Sequence, residues 1–451
     1  MKTAADVIVL GLGPGGEHAA GKLAEAGLDV IGIEYNLVGG ECPYWACIPS
    51  KMMIRAGNLV AEGRRIESMV GHATITRDWG RVADRIRNEA TDNWNDKVAV
   101  ERFEGQGGRF LRGKGRLTGP RSVEVDGTEY TADRAVVIAT GSKPFIPPIE
   151  GLSDLPYWTN REAIEAETVP HSLLIIGGGP VGAELGQVFS RFGARVAIVE
   201  GESHLLPKEE PEACDLIAGS FDDEGILVVG DSKAAEAFRS DGKIGIRLEN
   251  GRELAAERLL VATGRRADLE EIGIAAAGGD PKAHYLEVDE HMRVTDGLWA
   301  IGDITGKGAF THVSMYQAGI AIADILGQEH APADYRALPR VTFTDPEIGT
   351  TGMTEAQARD EEIDVAVGMS DVSKSTRGWI HRGEGFIKLV ADRSKGVLVG
   401  ATSAGPVGGE VLSMLTLAVH ARIPVSTLRT MIYAYPTFHR AVEDALRELD
   451  A

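Results

Sequence analysis

The sequence predicts an α/β protein with two similar nucleotide-binding domains followed by a C-terminal domain of α+β type. Residues 6–34 and 172–200 each show an apolar strand, a glycine-rich turn, a helix, a second strand and a terminal acid, at a constant offset of 166. A second pair follows, VIATGS at 137–142 and LVATGR at 260–265. Beyond about residue 333, strand-like and helical patterns alternate without a glycine fingerprint, which indicates the third domain.

Length and composition agree with this division and restrict the possible partners. The 451 residues suggest about three domains at roughly 150 residues each. A formal charge of −20 disfavours nucleic acid and anionic membranes as partners. No apolar run has the length of a membrane span and no signal peptide is evident, so we expect a cytoplasmic protein.

Each glycine fingerprint carries the residues that a dinucleotide site needs. Gly11 allows the tight turn, Gly13 lets the backbone approach a pyrophosphate, and Gly16 lets the helix pack on the strand. Glu34 ends the second strand, where its carboxylate can accept a hydrogen bond from a ribose hydroxyl. The second copy repeats these positions at Gly177, Gly179, Gly182 and Glu200. Both halves are therefore predicted to be Rossmann-like domains.

The acid of the second fingerprint predicts the choice of nicotinamide nucleotide. Glu200 lies where a 2′-phosphate would have to bind, and like charges repel. No arginine follows within residues 201–206, although His204 and Lys208 are nearby basic groups. We therefore expect NADH to be preferred over NADPH.

A close cysteine pair supplies the reactive chemistry. Residues 39–51 read GGECPYWACIPSK, with Cys42 and Cys47 five residues apart. In a regular helix these positions are roughly 140° apart around the helix axis, which is a poor geometry for a disulfide bridge. Pro49 must distort the helix, and this distortion can bring the two sulfurs together. A helix N-terminus would also favour the reactive thiolate. A metal site or two inert thiols are the alternatives. No second Cys/His pair has zinc-like spacing, so no metal ligands are predicted.

These motifs resemble those of the class I pyridine nucleotide–disulfide oxidoreductases, the family of dihydrolipoyl dehydrogenase, glutathione reductase and mercuric reductase. The resemblance covers essentially the whole chain and includes the specific pattern GGxCxxxxCxPxK. It implies FAD at the first fingerprint, the nicotinamide nucleotide at the second, and a homodimer with its active site completed across the interface. The expected domains are 1–148 with 266–332 for FAD, 149–265 for NAD, and 333–451 for dimerisation.

The resemblance also implies a role for individual residues. Cys47 would be the charge-transfer thiol beside the flavin, and Cys42 the interchange thiol that attacks the substrate. Lys51 would lie near flavin N5 and pair with Glu184, whereas Cys214 has no counterpart and is expected to be a packed thiol. The remaining cofactor contacts are expected at Gly15, Gly40, Gly115, Thr140, Gly141, Ser142 and Asp303 for FAD, and at Gly264 for the nicotinamide nucleotide.

The C-terminal segment departs from the family pattern. Disulfide reductases carry HPTxxE, whose histidine is the acid/base for the interchange thiol, but residues 435–440 read YPTFHR. Tyr435 replaces the histidine and Arg440 the glutamate, and neither is a suitable base at neutral pH. His439 could take over, or the acceptor could need no proton relay. Mercuric reductase and soluble transhydrogenase share the tyrosine, yet neither matches this chain's cysteines fully.

The predicted function is transfer of electrons from NADH through FAD to Cys42–Cys47 and on to a small acceptor, as in dihydrolipoyl dehydrogenase. The alternative is a reductase for quinones, other electron acceptors or metal ions, in which disulfide exchange is secondary. Tyr44 and Trp45, between the cysteines, could stack on a flat acceptor or simply pack against the flavin or a neighbouring helix. A third interpretation is a docking subunit or redox sensor, for which no linker segment provides support.

Overall fold

The computed structural model describes residues 3–449, so the predicted domain ends at 1 and 451 lie outside it. The strands, in chain order, are β1 (Ala4–Leu10), β2 (Val30–Glu34), β3 (Arg109–Arg112), β4 (Gly115–Gly119), β5 (Ser122–Val125), β6 (Thr128–Ile138), β7 (Lys143–Pro144), β8 (Ser172–Ile176), β9 (Arg195–Val199), β10 (Leu227–Val229), β11 (Ala234–Ser240), β12 (Lys243–Leu248), β13 (Glu253–Ala256), β14 (Arg258–Val261), β15 (Arg265–Arg266), β16 (Arg293–Thr295), β17 (Leu298–Ala300), β18 (Pro339–Thr342), β19 (Glu347–Gly352), β20 (Val365–Asp371), β21 (Phe386–Asp392) and β22 (Val397–Gly405). The α-helices are α1 (Pro14–Glu25), α2 (Glu41–Trp45), α3 (Cys47–Met69), α4 (Trp79–Arg85), α5 (Lys97–Gly105), α6 (Asn160–Ile164), α7 (Pro180–Arg191), α8 (Pro211–Asp223), α9 (Thr311–Ile325), α10 (Glu355–Asp360), α11 (Thr376–His381), α12 (Gly408–His420), α13 (Val425–Thr430) and α14 (Ala441–Glu448). Within the part of the chain described, no helix is long and apolar enough to cross a bilayer.

The first of two compact units contains the chain up to Ser50 together with residues 80–146 and 264–334. Its main sheet has the order β16-β17-β6-β1-β2-β3, and β4 and β5 extend it as an antiparallel meander from β6. The strands from β17 to β3 are parallel. Ile8 and Leu10 of β1 are buried on one face, and Val7 and Val9 on the other. Burial on both faces explains why β1 reads as a continuous apolar run.

The second unit contains residues 51–79, 147–263 and the chain from Tyr335. It holds a parallel sheet of order β10-β9-β8-β14, an antiparallel sheet β11-β12-β13, and a five-stranded antiparallel sheet β18-β19-β22-β21-β20. Leu415 of α12 and Val442 of α14 belong to the buried core over the last sheet. The mixed α/β architecture predicted from the sequence is confirmed.

The chain leaves the first unit after Ile146 and returns at Gly264, close to the predicted boundaries at 148 and 266. At these two boundaries, β7 pairs antiparallel with β15. Residues of α3 from Lys51 onward group with the second unit rather than with the first. The three-domain division remains a prediction.

The sequence repeat is also a structural repeat. In the first unit Val7 is opposite Val30, and in the second Leu173 is opposite Val196, which is the same register shifted by 166 residues. Helices α1 and α7 begin and end at positions that differ by the same 166. The two halves therefore present the same strand–turn–helix geometry.

Candidate active site

Two glycines in each fingerprint are required by the protein's own backbone. Gly11 and Gly177 adopt φ of +92° and +106°, a region that favours glycine. A Cβ on Gly16 would lie 2.0 Å from the Gly11 carbonyl oxygen, and one on Gly182 would lie 2.0 Å from that of Gly177. These four positions build the tight turn and the close helix–strand contact.

Neither the backbone conformation nor the packing of the protein requires a glycine at the middle position of each fingerprint. Gly13 and Gly179 have ordinary backbone angles, with φ of −65° and −70°. A Cβ at either position would meet nothing within 4 Å. Each faces open space at the N-terminus of a helix, where free N–H groups favour a phosphate. Both turns therefore fit the pyrophosphate of a dinucleotide.

The terminal acids of the two halves are held in the same way. The N–H groups of Leu12 and Asn36 donate to Glu34, at 2.8 and 2.7 Å. The N–H groups of Gly178 and Glu202 donate to Glu200, at 2.6 and 3.0 Å. Burial raises the pKa of Glu34 from its ordinary value, against these backbone hydrogen bonds. Each carboxylate is thus fixed beside its glycine turn, where a ribose hydroxyl would be expected.

The cysteine segment is broken as predicted from Pro49. Helix α2 ends at Trp45, Ala46 adopts φ −137° and ψ −106°, and α3 begins at Cys47. Pro49 lies in the first turn of α3, where its missing N–H costs no helical hydrogen bond. Cys42 and Cys47 are both half-buried. Cys47 therefore occupies the N-terminus of a 23-residue helix, whose dipole favours negative charge there.

A hydroxyl from a distant part of the chain reaches Cys47. The Cys47 Sγ is 3.4 Å from the Oγ1 of Thr311, the first residue of α9. Thr311 was not among the residues predicted for the site. The aromatic residues of the redox loop, Tyr44 and Trp45, are buried at 6% and 7% exposure. They pack within the protein rather than offering a stacking face to an acceptor.

Lys51 and Glu184 form the predicted ion pair. The Lys51 Nζ donates to Glu184 Oε2 at 2.9 Å. The Phe343 N–H donates to the other carboxylate oxygen at 2.8 Å, and the Lys51 ammonium lies 4.6 Å from the Phe343 ring centroid. Glu184 is almost fully buried. The backbone contact at Phe343 was not predicted, since it joins residues 159 positions apart.

The segment after Phe343 is fixed by the same face of α7. Gln187 accepts from the Asp345 N–H and donates to the Asp345 carbonyl, both at 2.8 Å. The fully buried Arg191 guanidinium binds the Asp345 carboxylate at 2.9 Å and Glu224. Glu184, Gln187 and Arg191 therefore lie along one face and bind a single strand-to-strand connection. The sequence pattern of α7 had indicated only its glycine turn, and the family resemblance had added Glu184.

Ser142 and Asp303, predicted separately as FAD contacts, are brought together. The Ser142 hydroxyl donates to Asp303 Oδ2 at 2.6 Å. Arg265, which follows the second ATG motif, donates to the Ser142 hydroxyl at 2.8 Å and to its carbonyl at 2.6 Å. The Arg265 guanidinium also lies 3.7 Å from Glu41, beside Cys42. Arg265 is a residue that sequence reasoning missed.

The remaining predicted glycines fall into two groups. A Cβ would collide with Ser314 at Gly15, with Gly13 at Gly40 and with Leu10 at Gly115, so packing alone accounts for these glycines. Gly141 and Gly264 have positive φ and face open space. Thr140, before Gly141, is exposed. Cofactor contacts at all of these positions remain predictions.

The C-terminal residues lie close together on the second unit. Tyr435 is 66% exposed and its hydroxyl donates to Thr376 Oγ1 at 3.1 Å. The Arg440 guanidinium lies 5.6 Å from the Tyr435 ring centroid and pairs with Glu443 at 2.8 Å. His439 is half-buried, with its Nε2 3.4 Å from Thr437 Oγ1. Tyr435 thus presents its ring to solvent, whereas His439 faces its own segment.

Cys214 is the packed thiol that the sequence predicted. Its side chain is buried in α8 and its S–H donates to the Leu206 carbonyl at 3.4 Å. Burial raises the pKa of this thiol to about 11, so it stays protonated at neutral pH. Cys214 therefore takes no part in the site.

Two matched dinucleotide turns and a cysteine at a helix N-terminus define a two-nucleotide redox enzyme, and comparisons with known proteins identify its family. Residues 5–318 match the family model described as pyridine nucleotide-disulphide oxidoreductase, and residues 338–446 match the model of that family's dimerisation domain. The chain therefore belongs to the FAD-dependent pyridine nucleotide-disulphide oxidoreductases, whose members use pyridine nucleotides.

Individual relatives agree with this assignment. The chain is 31% identical to dihydrolipoyl dehydrogenase of Haloferax volcanii, over 99% of this chain and 96% of the relative. It is 33% identical to mercuric reductase of Acidithiobacillus ferrooxidans, over 96% and 80% respectively. Among solved structures, the HOCl-induced flavoprotein disulfide reductase RclA of Escherichia coli superposes with a TM-score of 0.86 at 26% identity, covering 98% of this chain and 99% of that one.

Proposed function

We propose that the protein transfers electrons from NADH through FAD to the Cys42–Cys47 pair and from there to a small-molecule acceptor. The observation that carries this proposal is the placement of Cys47 at the N-terminus of α3 with Thr311 at its sulfur, in a chain with two open dinucleotide turns. FAD, when bound, would accept a hydride and return the electron pair to a disulfide. Gly13, Glu34, Ser142 and Asp303 are the residues that would hold it.

Residues in and around the cysteine segment have separate roles in the transfer from the disulfide to the acceptor. Reduction breaks the Cys42–Cys47 disulfide and leaves both sulfurs with an electron pair. The helix N-terminus and the Thr311 hydroxyl stabilise the negative charge on Cys47. Cys42 then attacks the acceptor disulfide, which forms a mixed disulfide and releases one acceptor thiolate. Cys47 attacks the Cys42 sulfur next, which releases the second acceptor thiolate and forms the Cys42–Cys47 disulfide again. Lys51, oriented by Glu184, would supply positive charge beside the flavin.

An anaerobic titration with NADH tests this order of events. We expect two-electron-reduced enzyme with a long-wavelength thiolate–flavin absorption band. Cys47→Ser should abolish the band, whereas Cys214→Ser, which alters the third cysteine, should retain it. A band that persists in Cys47→Ser, or is missing from the unaltered enzyme, would refute the proposed route.

The preference for NADH over NADPH is proposed from the second glycine turn. Glu200 is fixed beside that turn by two backbone N–H groups, where its charge would repel a 2′-phosphate. Glu200→Gln should lower the ratio of kcat/KM for NADH to that for NADPH by about tenfold, the effect of 1.4 kcal/mol. Glu34→Gln, at the equivalent position of the first turn, should leave the ratio unchanged. An unaltered ratio in Glu200→Gln contradicts the proposal.

The acceptor is proposed to be a disulfide of the lipoamide type, because dihydrolipoyl dehydrogenases are among the relatives and the cysteine pair is intact. A second candidate is a quinone, another electron acceptor or a metal ion. The name of the mercuric reductase relatives indicates the metal ion. The specific observation favouring it is the exposed Tyr435 where a histidine base is expected. NADH oxidation with lipoamide, small disulfides, quinones and Hg(II), measured side by side, decides between them.

Cysteine variants measured with the same set of acceptors show where the electrons leave the enzyme. If Cys42→Ser keeps quinone reduction and loses disulfide reduction, electrons leave from the flavin and the second candidate is favoured. If it loses both, the thiols are the exit for every acceptor. Cys214→Ser again serves as the matched control.

We further propose a homodimer assembled through the segment that matches the dimerisation domain. Several large apolar side chains of this segment are exposed, including Trp379 at 74% and Ile432 at 95%. Exposed apolar side chains of this kind, and the exposed ring of Tyr435, are typical of surfaces that subunit interfaces cover. Ile432→Glu should shift the protein to monomers in sedimentation, whereas Val98→Glu, also at an exposed apolar residue, should not.

A further inference from the structure

We propose that His291, Asp324 and His330 form a divalent metal site that is separate from the redox centre. One donor atom from each side chain lies within 4.8 Å of the other two. His291 precedes β16, Asp324 lies near the end of α9, and His330 follows that helix. Two imidazoles and one carboxylate form a donor set suited to Zn²⁺ or Cu²⁺.

The hydrogen bond of the His330 ring orients its second nitrogen toward Asp324. Its Nδ1 lies 3.0 Å from the Ala331 carbonyl oxygen, which can only accept, so Nδ1 carries the proton. Its Nε2 then faces Asp324 Oδ1 at 3.6 Å, too far for a direct hydrogen bond. In the neutral imidazole the Nε2 lone pair therefore faces a carboxylate oxygen, and a cation placed between these two atoms would bind both. An imidazole that donates its other nitrogen to a backbone carbonyl is also the usual orientation of a metal ligand.

His291 provides the second imidazole. Its Nδ1 is buried and has no hydrogen-bond partner among the described residues. A buried polar nitrogen without a partner is costly, and metal coordination would satisfy it. The two imidazole rings meet edge to face with centroids 5.0 Å apart. Ligand atoms of a tetrahedral zinc ion are about 3.4 Å apart, so small rotations of these rings would close the site.

The loops that carry the ligands are already joined. The Ala333 N–H donates to the Glu290 carbonyl at 2.9 Å, which ties the loop after α9 to the loop before β16. The Trp299 indole N–H and Arg293 both hold Asp324 in place, at 2.8 and 2.6 Å. Most of the movement needed for coordination is therefore confined to side chains.

Arg293 is the group that opposes a metal ion, because its guanidinium binds both oxygens of Asp324. Carboxylates outnumber it locally. The Asp289 carboxylate accepts from the Arg293 N–H at 2.8 Å, and Glu290 lies 3.6 Å from His291. With Asp324 this gives three carboxylates against one guanidinium. Each carboxylate oxygen has more than one lone pair. Asp324 Oδ1 can therefore accept a hydrogen bond from Arg293 and bind a metal ion at the same time.

The site is remote from the redox cysteines. Thr311, at the start of α9, contacts the Cys47 sulfur, and Asp324 is 13 residues further along the same helix. At 1.5 Å per residue this places the two ends about 20 Å apart. The metal would therefore link the C-terminal end of α9 to the loop before β16, and it would not take electrons from Cys42.

Binding of Zn²⁺ to the FAD-loaded protein tests the proposal, with Cys42→Ser and Cys47→Ser present to remove thiol ligands. Calorimetry should show one Zn²⁺ per chain. His291→Gln and His330→Gln should each weaken binding by at least about tenfold, since the loss of an outer-shell partner alone costs that much. His72→Gln, which alters an exposed histidine beside Glu67, is the matched control and should change nothing.

Two further measurements keep the test decisive. FAD content and the metal-free melting temperature should be the same in all variants, which separates lost ligands from lost folding. The spectrum of bound Cu²⁺ in electron paramagnetic resonance should show coupling to two nitrogens, and to one in either histidine variant. Zn²⁺ affinity that is unchanged in both histidine variants, or a Cu²⁺ spectrum without two-nitrogen coupling, would overturn the proposal.

Discussion

The ammonium of Lys51 and the carboxylate of Glu184 are joined at 2.9 Å, and the second carboxylate oxygen accepts the Phe343 N–H at 2.8 Å. The buried Glu184 side chain thus orients Lys51 of α3 and also fixes the backbone at Phe343. Because the pair is half-buried rather than exposed, its charge is less screened than that of an ordinary surface ion pair.

Glu184→Gln should therefore slow flavin reduction by NADH while leaving the protein folded. The amide oxygen can still accept from Phe343, but the charge opposite Lys51 is lost. A hydrogen bond to a charged group contributes about 1.5–3 kcal/mol, so we expect a decrease of about tenfold in the rate measured by stopped-flow absorbance. Glu25→Gln breaks an exposed pair with Lys22 and should have no effect. Equal rates in both variants would show that the Lys51–Glu184 pair is only structural.

Alanine at the middle glycine of each turn should separate the two nucleotide sites. Gly13 and Gly179 have backbone angles that alanine adopts and open space in front. Gly13→Ala should therefore lower FAD content, and Gly179→Ala should raise the KM for NADH by roughly 5- to 150-fold, since overpacking costs about 1–3 kcal/mol. Melting temperatures of the FAD-free proteins should not change.

Gly16→Ala provides the contrast for these two variants. Its new methyl group would lie 2.0 Å from a backbone carbonyl oxygen, so it should prevent normal folding even without nucleotide. If Gly13→Ala destabilised the FAD-free protein to the same degree, the open space at Gly13 would not be the nucleotide site.

Restoring the family's C-terminal acid/base pair should change the acceptor profile. Tyr435→His together with Arg440→Glu would place a base and its orienting carboxylate at the family positions. General base catalysis contributes 10²–10⁴-fold, so lipoamide reduction should rise by at least about tenfold. Quinone reduction should stay constant. His439→Gln tests the other reading, because a pH profile that loses its base limb only in this variant would identify His439 as the base.

Acid stability should depend on the turn between β21 and β22. The Lys395 ammonium and the Ser394 hydroxyl hold the pKa of Asp392 down at about 2, below the ordinary value near 4. A depressed carboxyl pKa stabilises the fold above the unfolded value, and this stabilisation is lost as the pH falls from about 4 to about 2. Asp392→Asn should abolish that part of the pH dependence in denaturant titrations. Asp296→Asn, at an exposed carboxylate, should leave it intact.

The sequence by itself determined the structural features that depend on residues close together in the chain. The glycine turns, the helix starts at Pro14 and Pro180 and the break beside Pro49 follow from backbone conformations restricted within a few positions. The Lys51–Glu184 pair was also expected, but from the family resemblance rather than from spacing.

Only the tertiary structure decided which distant side chains meet. Thr311 reaches Cys47 across 264 residues, and His291, Asp324 and His330 converge although no recognisable ligand spacing connects them. Such contacts depend on how strands and helices pack, which short-range preferences do not encode. The same packing buries Tyr44 and Trp45 between the two cysteines, so it also decided that these rings do not offer a stacking face to an acceptor.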